Sequence, residues 1–371
     1  MVALMHSFFV LRPDVSNLSA VSAAKVAFNG FAAVNVFFVL SGVVLGLALD
    51  RYEGTLAEKW RQFIILRVFR IYPMIVVVTA VICIYLLTVH EYRSYAAATD
   101  WFNRYYVSPL TWLRAAQNFL LLKTSLNPVG WTLMVEMAMA LCFPLLHRIA
   151  RRGSWWTNAL VLGAMIAVAI NGEHIRALLP QHPVPNLFVS LVVLHAYKFY
   201  LGLLITMYVR TSHVERIAPI AGWYFALAIA LLILPRSLLN SVGATDTPVS
   251  LVESFASALL LAPFCVIGGR RFASGLLQSA PLRWLGKVSY SFYLWHFIVL
   301  YSVSTILLTS VSADQLHANA FAFSAGLAIV SVPIAGLVSE CSYRWVEAPF
   351  MNLGRQLTRS YNLRRSAVKP A

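Results

Sequence analysis

Residues 61–90 read RQFIILRVFRIYPMIVVVTAVICIYLLTVH. Arg61, Arg67 and Arg70 precede Ile71, and from Ile71 to His90 there is no Asp, Glu, Lys or Arg. A bilayer core about 30 Å thick needs about 20 apolar residues of helix to cross it, and this run has that length. Basic residues at one end are the mark of a cytoplasmic flank, because cytoplasmic loops retain positive charge. Pro73 is expected to help start the helix, since a first turn does not need the N–H that proline lacks.

The same pattern recurs along the chain. Apolar runs cover about 29–49, 71–90, 129–149, 155–171, 187–209, 217–234, 251–268, 284–310 and 318–343. With an apolar stump in residues 1–12 they make ten. Of 371 residues, 60% are hydrophobic and 12% charged, and the mean hydropathy is +0.72. A soluble domain would carry about a quarter charged residues. The fold class is therefore all-α, a polytopic membrane bundle of about ten transmembrane helices. No repeat of fixed period and no low-complexity linker divides it, so residues 1–350 read as one membrane domain. Residues 351–371 read as a short basic cytoplasmic tail resting on the inner leaflet.

Charge distribution gives an orientation. Segments 50–70, 147–156, 210–216, 269–287 and 344–371 hold twenty Lys and Arg, and the alternate segments hold eight. Both termini are expected in the cytoplasm. The formal net charge of +15 follows from this bias, so no nucleic-acid partner is inferred. The lipid bilayer is the first partner. Cys83, Cys142, Cys265 and Cys341 show no CxxC or metal-ligand spacing. They read as small core residues, with no metal site. The opening residues lack the basic region and cleavage site of a secretory signal.

The stump is short. Twelve helical residues span about 18 Å, less than the hydrocarbon core, yet the charge alternation requires the first helix to cross. The expectation is a truncated first helix whose natural start lies upstream, with Met1 an internal methionine.

Ionisable groups inside membrane helices are costly and mark functional or paired positions. They are His6, Glu136, His195, Lys198, Glu253 and His296. A carboxylate beside a histidine fixes its tautomer and raises its basicity, so His6 and Glu136 are a candidate base and its orienting partner. Glu136 reads equally as a structural hydrogen bond between helices. His296, with Tyr290, Ser291 and Tyr293 nearby, reads first as a buried polar contact. His195 and Lys198, one turn apart, line one interior face, unless Lys198 snorkels to the surface. Arg67 and Arg70 share a helix face and suit a phosphate-bearing cytoplasmic ligand, or are ordinary flanking charge. Ser41 and Gly42 in NVFFVLSG let another backbone or a slender ligand approach closely. The stretch 101–122, WFNRYYVSPLTWLRAAQNFLLL, is an interfacial aromatic belt or a lid over an outward site.

Together these stretches resemble the acyltransferase type 3 family of bacterial membrane O-acyltransferases. VALMHS resembles the end of that family's first helix, which carries the role of base to His6. NVFFVLSG is similar to its FFxxSG element, with Phe37, Phe38, Ser41 and Gly42 matching and Asn35 standing where the family usually has Asp. RQFIILRVFRIYP resembles RxxRIxP through Arg67, Arg70, Tyr72 and Pro73. WTLMVE resembles WSLxxE through Trp131 and Glu136. LGKVSYSFYLWH resembles LGxxSYxxYLxH through Ser289, Tyr290, Tyr293 and His296, and VEAPF carries the terminal ExP at Glu347 and Pro349. The basic residue that family members carry about three turns before the histidine would fall upstream of Met1.

The resemblance implies transfer of an acyl group, most often acetyl, from cytoplasmic acyl-CoA to a hydroxyl of a cell-envelope or exported carbohydrate. No cofactor is bound permanently, and acyl-CoA is the donor substrate. It implies His6 as base with Glu136, Arg67 and Arg70 on the CoA phosphates, and Ser41 and Gly42 along the pantetheine path. Tyr290, His296 and Trp131 are candidate oxyanion or acceptor contacts. The location implied is the bacterial inner membrane. The competing readings are a transporter or flippase of an envelope glycan or solute without covalent chemistry, and a scaffold whose polar residues only hold helices together.

Overall fold

Helix boundaries follow from local capping. The Asn29 side chain accepts from Ala32 N and starts the helix Gly30–Asp50. Asp14 does the same for Val15–Ala27 through Asn17 N, and Ser154 for Trp155–Ile170 through Thr157 N. Each cap satisfies an orphan backbone N–H that lipid could not solvate. A computed structural model describes residues 1–178, 192–241, 245–265, 275 and 277–366. Among them there is no strand, only one isolated antiparallel bridge between Leu11 and Ala98. The expected run 187–209 lies outside the described residues over 187–191. So do 179–186 and 242–244, parts of two expected outer segments. Most of 266–276, which joins the expected run 251–268 to the inner segment 269–287, and tail residues 367–371 also fall outside.

Seven helices among the described residues are long and apolar enough to cross a membrane: Val15–Asp50, Leu56–Thr88, Pro128–Arg152, Thr211–Leu239, Asp246–Cys265, Ala280–Ser310 and Ala320–Arg359. They coincide with seven of the ten expected runs. The other three are represented by the six-residue helix Val2–Ser7, the shorter apolar helix Trp155–Ile170 and the helix Ala196–Tyr208. Leu87, Ile329, Leu337 and Trp223 are among many large apolar side chains left exposed. Lipid, not water, is the medium that suits them. The chain is a multi-pass membrane protein.

One expectation is corrected here. Pro73 does not help start its helix, which runs unbroken from Leu56 to Thr88 with Pro73 inside it. The proline leaves the carbonyl of Phe69 without its usual partner, a loss that helices in a membrane bundle tolerate when neighbours re-satisfy the backbone.

The chain forms two compact units. The first comprises Met1–Phe28, Ile64–Leu133 and Ala280–Ala371, and the second Asn29–Phe63 and Met134–Ser279. In the first, Phe8, Val21 and Ala24 build a core joined by Phe28 and Ala325. The helix Ala320–Ser342 passes through a π-helical turn, Tyr343–Glu347, into Ala348–Ser366. In the second, the helices Gly30–Asp50 and Ala196–Tyr208 lie backbone to backbone. A Cβ on Gly42 would sit 2.1 Å from the Phe199 carbonyl oxygen, and one on Gly202 would sit 2.0 Å from that of Val39. Such approach is open only to glycine.

Candidate active site

His6 lies in the first unit, near the end of Val2–Ser7. The chain after it is pinned to residues 97–99. Arg12 N donates to Ala97 O at 2.9 Å and Thr99 N to Val10 O at 2.8 Å. The Thr99 hydroxyl donates to Phe9 O at 2.5 Å, and Arg12 pairs with Asp100. This clamp sets the Trp101 ring 5.0 Å from that of His6, centroid to centroid. Phe297 meets the His6 ring edge-on at 6.2 Å.

His6 has a polar partner in this unit. Its Nδ1 is 3.2 Å from Nε2 of His296, with centroids 5.3 Å apart and planes inclined by 22°. His296 is 2% exposed, and its Nδ1 is 2.7 Å from the Tyr293 carbonyl. The Tyr293 hydroxyl is hydrogen-bonded to Thr132 at 3.1 Å, one residue past Trp131, which opens the helix Trp131–Arg152. Both nitrogens of His296 are thus engaged within the protein. The Tyr290 hydroxyl donates to Ile71 O at 2.7 Å. In this structure the hydrogen-bonding groups of Tyr290 and His296, two of the candidate oxyanion or acceptor contacts, are engaged with Ile71, Tyr293 and His6.

The aromatic residues of segment 91–128 differ in setting. Trp112 is 92% exposed. Trp101 and Tyr105 instead turn toward His6 and Phe297. Tyr106, fully buried, has a left-handed backbone with φ 57°, which costs a tyrosine about 1–3 kcal/mol. It is held by its own hydroxyl on Leu126 O at 2.6 Å and by His90 on its carbonyl at 2.9 Å. Burial pushes the Tyr106 hydroxyl well above the ordinary tyrosine range, so it stays a neutral donor. The sequence does not single out Trp101 or Tyr106 within the stretch 101–122. Their only sequence signal was an aromatic cluster, which a membrane interface explains as readily.

Three motifs distant in sequence converge in the same unit. Ser291 donates to Glu347 at 2.7 Å, and the charge of Arg70 acts on Glu347. The Tyr290 bond to Ile71 joins the arginine-bearing helix to the same group. Gly354 admits Phe69, whose Cβ would lie 2.8 Å from a Cβ added there. Arg67 and Arg70 differ in setting, the first buried at 8% exposure and the second exposed.

The second unit holds Glu136, Ser41 and Gly42. Glu136 is 6% exposed and lies between Val135 and Met139, both fully buried. Ser41 is also buried. The space beside Gly42 is occupied by the Phe199 backbone, so its small size serves helix packing.

This unit also contains a buried charge network. Lys198 Nζ donates to Asn35 Oδ1 at 2.7 Å, and Asn35 Nδ2 donates to Glu253 Oε2 at 2.7 Å. Asn29 Nδ2 donates to Glu253 Oε1 at 2.8 Å. Arg236 contacts both carboxylate oxygens at 3.2 Å and reaches outward to Asp246 at 2.8 Å. Lys198 is 4% exposed and does not snorkel. Its neighbour His195 packs 5.2 Å from the Phe38 ring.

Comparison with known proteins agrees with the motif reading. Acyltransferase MdmB of Streptomyces mycarofaciens is 25% identical over 333 residues, covering 87% of this chain and 81% of its own. The O-acetyltransferase OatA of Staphylococcus aureus is 25% identical over 366 residues, covering 88% of this chain and 53% of its own. The chain thus spans about half the length of that staphylococcal relative. No solved structure matches it. Residues 1–340 match the acyltransferase domain family, and the chain therefore belongs to the acyltransferase type 3 family of membrane acyltransferases.

Proposed function

We propose that the protein is an O-acyltransferase that moves an acetyl group from cytoplasmic acetyl-CoA to a hydroxyl of a cell-envelope or exported carbohydrate. The observation that carries this is His6, bonded to His296 and flanked by Trp101, at the position where the family places its base. A sugar hydroxyl is a poor nucleophile and needs its proton removed as it attacks. His6 takes that proton. The hydroxyl oxygen bonds to the thioester carbonyl carbon, the C–S bond breaks, and the departing CoA thiolate receives the proton. The names of MdmB and OatA support acyl, and specifically O-acetyl, transfer.

Arg67 and Arg70 are assigned to the donor's phosphates, with Arg70 the more accessible, and Ser41 and Gly42 to the pantetheine arm. Glu136 is assigned from its motif as the carboxylate of the reaction, and Trp131 as an acceptor contact. The chain crosses the inner membrane ten times with both termini in the cytoplasm. Residues 1–350 act as one catalytic membrane domain and 351–371 as a basic tail.

The test follows radiolabel from acetyl-CoA into envelope glycans in membranes carrying the full-length protein. Wild type and His6→Ala are compared at matched expression. Transfer that disappears in the variant supports the assignment, and equal transfer in both removes His6 from the chemistry.

A further inference from the structure

We propose that His296 is a positioning residue that sets the tautomer of His6, so that Nε2 of His6 is the atom that takes the acceptor proton. The inference rests on the reading of His6 as base. It assigns the buried histidine a role distinct from the oxyanion contact expected from sequence.

The argument starts at a carbonyl. The Tyr293 oxygen can only accept, so His296 Nδ1, 2.7 Å away, carries a hydrogen. A neutral imidazole has one N–H and one lone pair, so the lone pair of His296 is on Nε2. That atom faces His6 Nδ1 at 3.2 Å, and the contact is a hydrogen bond only if His6 Nδ1 donates. Neutral His6 therefore holds its hydrogen on Nδ1 and its lone pair on Nε2.

Ring geometry agrees. Two imidazoles joined through an in-plane N–H···N bond meet edge to edge, whatever the twist about the bond. The 5.3 Å centroid separation is of that kind. Face-to-face stacking would bring the rings closer. His6 Nε2 makes no hydrogen bond to another described residue, so it is available to a substrate hydroxyl.

The bond also serves the charged intermediate state. When Nε2 receives the hydroxyl proton, His6 becomes an imidazolium whose Nδ1–H still points at the His296 lone pair. The bond is then charge-assisted and stronger. Tyr293 and Thr132 hold the far side of His296, so the acceptor is in place before charge develops. His296 thus orients the base as the third member of a triad does, without adding a buried negative charge.

The experiment uses the full-length protein in lipid nanodiscs. Histidine ¹⁵N spectra identify His6 by its loss in His6→Ala. Wild type and His296→Gln, whose amide reaches the position of Nε2, are expected to show His6 protonated at Nδ1. His296→Asn, which reaches only the Nδ1 position, and His296→Phe are expected to lose that preference. Transfer from acetyl-CoA should fall about 10²–10⁴-fold in kcat for Asn and Phe, the scale of a misplaced tautomer in a triad. KM for acetyl-CoA should be unchanged, and His296→Gln should recover most of the loss. An unchanged His6 tautomer in His296→Phe, or equal kcat in the Gln and Asn variants, overturns the positioning role and leaves His6 as base. Full transfer in His6→Ala overturns both.

Discussion

Ser291 donates a 2.7 Å hydrogen bond to Glu347, and both side chains are buried, at 0% and 3% exposure. The bond ties the helix Ala280–Ser310 to the π-turn Tyr343–Glu347. A π-turn carries an extra residue in its ring and is common at functional positions. Here it delivers a carboxylate to a serine and to the field of Arg70.

Ser291→Ala should therefore lower stability by about 1–3 kcal/mol, the cost of leaving a buried acceptor without its donor. Glu347→Ala, which also removes a carboxylate on which the Arg70 charge acts, should cost more. Thermal unfolding in detergent measures both, and equal midpoints for Ser291→Ala and wild type would contradict the bond.

Gly42→Ala should destabilise the protein by about 1–3 kcal/mol, as overpacking does. Its methyl would meet the Phe199 carbonyl at 2.1 Å, whereas a Cβ at Gly163 meets nothing within 4 Å. Gly163→Ala should be neutral or up to about 1 kcal/mol stabilising, through helix propensity alone. The two variants unfolded side by side separate packing from propensity.

Glu253→Ala should cost about 3–5 kcal/mol, because it strands Lys198 and Arg236 without their carboxylate. Asp246→Ala touches the same arginine at a position 87% exposed and should change stability by less than about 1 kcal/mol. Comparable losses in the two would show that Glu253 is not the centre of the network.

Trp101→Ala should reduce transfer about tenfold or more with an unaltered unfolding midpoint, since about 1 Å of misplacement at a base costs up to about a hundredfold. Trp112→Ala, which alters an exposed ring, should leave transfer unchanged. Initial rates in matched membranes decide between a ring that positions His6 and one that only anchors the outer segment.

Arg70→Ala should raise KM for acetyl-CoA about tenfold or more at constant kcat, the loss of one charge-assisted contact to phosphate. Arg67→Ala should raise the same KM and, because Arg67 is buried, should also reduce folded yield. A KM unchanged in Arg70→Ala removes that residue from the donor site.

Much of the molecule was legible from order and composition. Lipid requires that backbone groups in the core be satisfied within the protein, which an α-helix does from its own residues. Apolar runs of sufficient length therefore identify spanning helices without knowledge of their partners. The seven long helices appeared where the runs lay, and His6, Tyr290 and His296 could be named from motifs with fixed local spacing.

What the local pattern could not carry was the partner of each polar group. Pro73 looked like a helix start because the tertiary contacts that excuse an internal proline are not local. Gly42 signals a close approach by something slender, and only the fold shows that the backbone of Phe199, far along the chain, lies against it. Lys198 stays inside because Asn35 meets it. His296 meets His6 across 290 residues. Hydrophobicity is a property of each residue and sums along a segment, so sequence alone determined which segments enter the membrane. A hydrogen bond needs two groups within about 3 Å, so only the tertiary structure decided which buried polar groups face one another.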